Sequence, residues 1–426
     1  MVVGSGGREH ALVWKLAQSE RVTEIIAVPG NAGIAAQARC LNAELTPDVL
    51  LEVAEREGVD FTVVGPEVPL VAGVADVFEG AGRRIFGPTR AAAQLEGSKV
   101  FSKAFMARHN IPTASYCSFT EFDAALKYLG AHYPDPQNYP VVVKDSNLAA
   151  GKGVTIAHTR AEAVAALGAV LLDGGEVVLE KFLTGQEVSL LLLTDGDAVQ
   201  LLPLAQDYKQ AFDHDLGPMT GGMGAVAPVP LLSDAQLGTV METIVTPTLR
   251  GLRAEGISYR GVLFVGLMVT DAGVQVLEYN VRFGDPETQA VLPLLKSDLL
   301  ELLEATAAGR LAEVTPRWSK EASACVVLAS PGYPGGYPSG LPLTLPETLP
   351  NDTQIFHAGT ALGQKKSGEN GLVSSGGRVL NVVAWADTLS EAVAAAYLGV
   401  DAVDFPNAHL RRDIGGRLEA AQLRED

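Results

Sequence analysis

Val274-Gln275-Val276-Leu277-Glu278-Tyr279-Asn280-Val281-Arg282-Phe283-Gly284-Asp285-Pro286-Glu287 decides how this chain folds and where its chemistry lies. It reads as an apolar strand with charged groups at its carboxyl end. Side chains on a strand alternate faces, so Val274, Val276, Glu278 and Asn280 are expected on one side. Two apolar residues pack that side, and a carboxylate and an amide oxygen follow. Hard oxygen donors at this spacing suit Mg²⁺, which shares its coordination shell with substrate phosphates. Arg282, Asp285 and Glu287 come next, so both signs of charge converge on one loop. An ordinary strand with a solvated acidic end has the same pattern, and the segment alone leaves both readings open.

Upstream, Thr270-Asp271-Ala272-Gly273 reads as a hairpin turn leading back from a strand over 262–269. Further strands are expected over 188–193 and 201–204. Residues 207–224 read as a long polar, glycine-rich loop, and loops of that length in compact domains tend to be functional. Ser233 is placed to cap the helix that follows it. A separate unit begins near Ser98, with a helix over 100–108, a strand over 140–144, a glycine loop, a helix over 161–172 and a strand over 177–181. Before it, strands at 2–4, 25–28, 61–65 and 85–87 alternate with helical patterns such as 8–19. This βαβ rhythm implies an open parallel sheet whose ligands sit at the carboxyl ends of the strands. Downstream come a helix over 298–308, a strand over 324–329, a Pro/Gly run over 330–338, a strand over 378–385 and a helix over 389–398.

The chain has 426 residues, which allows roughly two to four domains with their own cores. Hydrophobic residues make up 47% and mean hydropathy is +0.18, as in a globular protein. The net charge of −18 argues against nucleic acid or an anionic membrane as the main partner. Cys40, Cys117 and Cys325 are far apart and show no zinc or redox spacing. No run of about 18 apolar residues and no apolar leader is present, so a cytoplasmic protein is expected.

Gly4-Ser5-Gly6-Gly7-Arg8-Glu9-His10 lies between a strand and a helix, where amides and the helix dipole favour an anion. A dinucleotide fingerprint needs glycine at its sixth position, where Glu9 stands, and an acid after the second strand, where Pro29-Gly30-Asn31 stands. A simpler phosphate ester is the better expectation, and a turn without ligand stays open. Lys144 closes an apolar strand with no partner in view in the sequence, and Lys103 lies on the helix after Ser98. The small-residue loop Ala149-Ala150-Gly151-Lys152-Gly153 can close over polyphosphate, or be a plain turn. After Glu180-Lys181-Phe182-Leu183, backbone groups could meet an adenine edge, and Glu187 could accept from ribose hydroxyls. His10, His214 and His357 lack metal-ligand spacing.

A Lys-ended strand, a small-residue glycine loop, Glu-Lys-Phe-Leu and then Glu-x-Asn, in that order, resemble the ATP-grasp superfamily of carboxylate–amine ligases. Within it the chain is similar to the glycinamide ribonucleotide synthetase family, through Gly6–Leu12, Pro29–Gly33, Val64–Glu67, Leu95–Lys99, Ala149–Gly153, Gly217–Ala225, Asn280–Thr288, His357–Thr360 and Gly376–Arg378. The resemblance implies an N-terminal open parallel α/β domain over 1–97. It implies an ATP-grasp α+β domain over 98–325, with a small lid over about 119–188 and a larger strand-rich part. A small C-terminal α+β domain spans 326–426.

It also implies ATP-dependent ligation of glycine to 5-phosphoribosylamine through a glycyl phosphate, in purine biosynthesis, by a monomer with Mg²⁺ or Mn²⁺. Another acid or amine, or nucleotide binding without turnover, are the rival readings. Carried onto this sequence, Glu278 and Asn280 hold the metal. Lys103, Lys144, Gly151, Lys152, Gly153, Glu180, Lys181, Leu183 and Glu187 hold ATP, and Arg282 and Asp285 orient the reacting groups. Gly6, Gly7, Arg8, Asn31, Pro66, Glu67, Asp207, Lys209, Thr220, Gly221 and Gly222 hold the small substrates. Three departures stand out. Asp145-Ser146-Asn147 replaces the family's Ala-Asp-Gly, Met219 stands where the family has Asn, and the short first strand raises the expectation of a trimmed start.

Overall fold

The structure is a computed structural model that describes residues 1–148, 153–364 and 370–417. It is a mixed α/β protein built on four main sheets. The first is parallel, in the order Arg39–Cys40, Ile26–Pro29, Val2–Gly4, Thr62–Val64, Ile85–Phe86. The two-residue strand Arg39–Cys40 was not expected, because its residues are half exposed and carry no apolar pattern. The Gly7–Leu16 helix follows the central strand and buries Ala11, Leu12 and Val13.

The second sheet is antiparallel, in the order Tyr116–Phe119, Val177–Lys181, Val141–Asp145, Val154–Ala157. Its alternation is strict. Val141, Val143, Val177 and Leu179 pack with Leu129 and Leu167 in one small core. Val142, Lys144 and Glu180 point to the other face. The third sheet runs Val199–Leu201, Gln186–Thr194, Gly261–Thr270, Gly273–Asn280, also antiparallel.

Here the expected facing of Val276 fails. Gly266 pairs with Glu278 and the next residue, Leu267, pairs with Val276, so Leu277 is an extra residue in the ladder. The bulge offsets the alternation: Val276 and Tyr279 both enter the core, while Leu277, Glu278 and Asn280 face a cleft. The oxygen pair keeps its common side; the apolar residues before it do not share it.

The fourth sheet draws strands from distant stretches, in the order Gln206–Asp207, Gly224–Ala227, Ala322–Ala329, Arg378–Ala386, Thr353–His357. The strand Ala322–Ala329 runs across residues 325 and 326, and the Leu389–Ala402 helix packs on it. Residues 207–224, expected as an open loop, carry a two-stranded ribbon of Gln210–Phe212 and Leu216–Met219. His214 and Asp215 make its turn in the left-handed region, with φ of 60° and 57°. The helix cap expected at Ser233 is present, its Oγ accepting from the Gln236 amide at 3.3 Å. No described helix is long and apolar enough to cross a membrane.

Candidate active site

A cleft of about 380 Å³ is lined by residues of the second, third and fourth sheets, and by Arg8, Pro66 and Glu67, which follow strands of the first. Each wall follows from local periodicity. On the Lys99–Arg108 helix, Lys99, Ser102, Lys103 and Met106 form one helical stripe along the cleft. The Oγ of Ser98 caps this helix, accepting from the Phe101 amide at 3.1 Å. Lys103 and Lys144 converge from helix and strand on one buried carboxylate. Glu180 Oε2 lies 3.1 Å from Lys103 Nζ, and Oε1 lies 3.0 Å from Lys144 Nζ. Lys144 also donates to the carbonyl of Leu277 at 3.0 Å, so it does have partners, all distant in sequence. Burial, with Lys144 close by, lowers the Lys103 pKa to about 8 despite Glu180. Val142, Ile156, Phe182, Leu183, Met268 and Leu277 make an apolar slot beside these lysines.

Glu278 faces the cleft from the opposite wall. Burial disfavours its charge, but Lys209, Lys144, Lys99 and Arg282 outweigh burial and lower its pKa to about 2. Asn280 Oδ1 accepts from Arg282 Nη2 at 3.1 Å and keeps a second lone pair. An ionised carboxylate and an amide oxygen fit a hard divalent cation that completes its shell with phosphate oxygens and water. Among the described residues no cluster of three or more His, Cys, Asp or Glu could hold such an ion alone. Arg282 is gripped by Glu96 Oε1 at 3.1 Å and Glu67 Oε2 at 3.5 Å, and Glu96 Oε2 also accepts from the Val281 amide at 2.7 Å. Burial opposes the Arg282 charge, yet these carboxylates raise its pKa.

A third corner gathers Asp207, Lys209, Thr220, Gly221, Asp285 and Arg378. Lys209 Nζ sits 3.3 Å from Glu187 and 3.6 Å from Glu278. Glu187 therefore faces a cation in addition to any hydroxyl it could accept from. Burial next to Glu287 pushes the Asp207 pKa well up, and its Oδ1 has no hydrogen-bond partner among the described residues. Arg378 Nη1 donates to the carbonyls of Gly221 at 2.7 Å and Asp285 at 2.8 Å, while Nη2 pairs with the Asp285 carboxylate at 3.2 Å. Burial raises the Asp285 pKa, but Arg378 and Arg8 outweigh it, so the carboxyl is held below its usual range.

The remaining expected residues divide. Arg8, Pro66, Glu67, Gly153, Lys181 and Leu183 line the cleft. Gly151 and Lys152 lie outside the described residues. Gly6, Gly7, Asn31 and Gly222 shape the site from behind. A Cβ on Gly7 would lie 2.2 Å from Asn381 Nδ2, and one on Gly222 2.4 Å from Pro286. The Asn31 amide bridges the carbonyls of Ser5 and His357, each at 2.8 Å. The anion expected on the Gly4–His10 loop meets a competitor: Glu9 folds back, accepts from the Gly6 amide at 2.6 Å, and pairs with Arg8 at 2.5 Å.

The Asp145-Ser146-Asn147 departure forms a turn closed by Asp145 Oδ1 and the Asn147 amide at 2.9 Å. The Ser146 carbonyl accepts from the Lys99 amide at 3.0 Å, tying that turn to the cleft helix. Met219 lines the cleft with a thioether in place of an amide. Sequence reasoning missed Lys99, Glu96 and Arg378 as cleft residues. The Leu95–Lys99 and Gly376–Arg378 segments held that signal.

Family models match in three consecutive parts: phosphoribosylglycinamide synthetase N domain at 1–96, its ATP-grasp (A) domain at 97–288 and its C domain at 323–417. A phosphoribosylamine–glycine ligase of Agrobacterium fabrum is 47% identical over 99% of both chains. One of Xylella fastidiosa (strain Temecula1) is 48% identical over 98% of this chain and 97% of its own. The crystal structure of phosphoribosylamine–glycine ligase from Thermotoga maritima superposes with a TM-score of 0.82 at 33% identity, covering 97% of this chain and 99% of its own. Biotin carboxylase from Campylobacter jejuni shares the fold at a TM-score of 0.70 and 14% identity. With its lysine-lined cleft, its Glu-x-Asn strand end and end-to-end matches at this identity, the chain belongs to the phosphoribosylglycinamide synthetase family of ATP-grasp ligases.

Proposed function

We propose that this cleft joins glycine to 5-phosphoribosylamine at the expense of ATP, giving ADP, phosphate and glycinamide ribonucleotide in purine biosynthesis. The observation that carries the reading is the meeting, in one cleft, of the Glu180-bridged lysines with an ionised Glu278 beside Asn280. The apolar slot takes the adenine, and Lys103 and Lys144 take the phosphates. Glu278 and Asn280 hold Mg²⁺ or Mn²⁺, which when bound neutralises charge on the transferring phosphoryl group.

The reaction balances in two steps. A glycine carboxylate oxygen bonds to the γ-phosphorus as the bond to ADP breaks. The amine of phosphoribosylamine then bonds to the glycyl carbon, phosphate leaves with the bonding pair, and the amine loses a proton. Arg282 and Asp285 orient the small substrates, with Asp207, Lys209 and the Thr220–Gly222 turn closing their corner. Phosphoribosylamine enters from the side of Arg8, Pro66 and Glu67, with the Gly6–Gly7 loop behind it. Residues 1–97 serve phosphoribosylamine, 98–325 serve ATP and metal, and the last segment closes the corner through Arg378. A cytoplasmic monomer completes this reading.

A coupled assay for ADP release tests it. Release should require glycine and phosphoribosylamine together. ATP binding with no release under those conditions would favour a nucleotide-binding regulator, and release with a different acid would reassign the substrate.

A further inference from the structure

Asp207, Tyr208 and Lys209 alternate across the chain direction. Asp207 and Lys209 reach the cleft, and Tyr208 points the other way, fully buried. On that far side lies the segment 409–417, the last described stretch of the chain. It is fastened to residues 207–215 along its length. The Arg417 guanidinium lies 4.2 Å from the centre of the Tyr208 ring and donates to the Asp207 carbonyl at 3.1 Å. The Gly415 amide donates to Tyr208 Oη at 2.8 Å. Arg411 has no exposed surface; it donates to the Gln210 carbonyl at 3.1 Å and to Asp215 at 2.9 Å. Asp215 also pairs with Arg417, and Asp413 accepts from the His214 amide at 2.8 Å.

Two features make this more than edge packing. The turn residues His214 and Asp215 both sit in the left-handed region, which Asp and His enter more readily than most side chains but still at some cost. Asp413 bonds one of these residues, and Arg411 with Arg417 bonds the other. Further, the bond from Arg417 ends on the backbone of Asp207, the residue whose carboxylate enters the cleft.

We propose that residues 409–417 are a strap that positions the small-substrate corner, with Arg417 and Arg411 fixing the register of Asp207 and Lys209. Neither arginine touches the cleft, so both are positioning residues. The proposal rests on the assignment of Asp207 and Lys209 to that corner in the proposed function.

The test uses the full chain carrying Arg417→Met, with Arg417→Lys as the conservative variant. Arg412→Met is the control: its side chain is exposed on the same strap and pairs with Asp401. For Arg417→Met the KM for glycine or phosphoribosylamine should rise at least about tenfold, while the KM for ATP stays within about twofold. Deuterium uptake over 206–219 should increase, Arg417→Lys should recover most of the loss, and Arg412→Met should match the unmodified chain. A uniform rise in all three KM values, or unchanged uptake over 206–219, would overturn the strap. If the unmodified chain releases no ADP with both substrates, the functional reading fails instead, and the uptake measurement then decides the strap by itself.

Discussion

Glu278 stays ionised because four cations face it, and that charge is what the metal reading needs. Replacing it by Gln keeps shape and removes charge. Glu278→Gln should lower kcat at least about 100-fold, the equivalent of about 2.7 kcal/mol at the transition state, with the fold retained. Near-normal ADP release at saturating Mg²⁺ would remove Glu278 from the metal. Lys144 invites a different experiment, because Glu180 is shared. Lys144→Met leaves Glu180 paired with Lys103, so the stability loss should stay below the roughly 3–5 kcal/mol of an unpaired buried charge. The KM for ATP should nevertheless rise about tenfold or more; an unchanged value in a folded variant would make Lys144 a structural ion-pair residue. At this scale the sequence was informative where the partners are neighbours. Glu278 and Asn280 lie two residues apart, and the structure brings both to the cleft. The Glu180 bridge joins residues from a helix and two strands, and no spacing in the chain announces it.

Elements carry the next level. Strand alternation accounts for Val142 and Lys144 on one face and Val141 and Val143 on the other. The same rule misplaced Val276, because a bulge is set by the partner strand, and Gly266 lies across from Glu278 with little of its own to define register. The two-stranded ribbon in 207–224 was equally hidden, since its turn is held in part by residues from 411–417, far along the chain. Gly7 belongs here too. It reads as part of an anion loop, but its lack of a side chain lets the first helix pack on Asn381 and Gln289. Both partners are buried, and Asn381 donates to the Phe356 carbonyl at 3.2 Å. Gly7→Ala should therefore destabilise the protein by about 1–3 kcal/mol, measured as a lower Tm. An unchanged Tm would mean that those amides swing aside freely.

At the scale of the whole molecule, the first helix meets the last sheet through two histidines. The His357 amide donates to His10 Nδ1 at 2.8 Å, so His10 must be unprotonated there. Burial, with His357 close by, lowers the His10 pKa to about 3, and burial lowers that of His357 to about 4. Unfolded histidines bind protons near pH 6.5, so between that value and about pH 4 the unfolded chain holds more protons than the folded one. Stability should thus fall as pH drops through this window, by on the order of 2 kcal/mol per histidine between pH 6.5 and 5. A Tm that is flat from pH 7 to 5 would contradict it, and His10→Gln should flatten part of the slope. The overall architecture was legible because βαβ rhythm and apolar runs are local, whereas this seam pairs residues from opposite ends of the chain. The fourth sheet has a consequence for anyone who divides this chain. Its edge strand Gln206–Asp207 is laid against Gly224–Ala227, and Gly224–Ala227 against Ala322–Ala329, so a gene cut anywhere between 228 and 321 separates hydrogen-bonded neighbours. Expressed alone, either fragment would present a bare strand edge and tend to aggregate. Co-expressed, the two should find each other through that edge, so recovery of ADP release from separately translated halves would report directly on the assembly of this sheet.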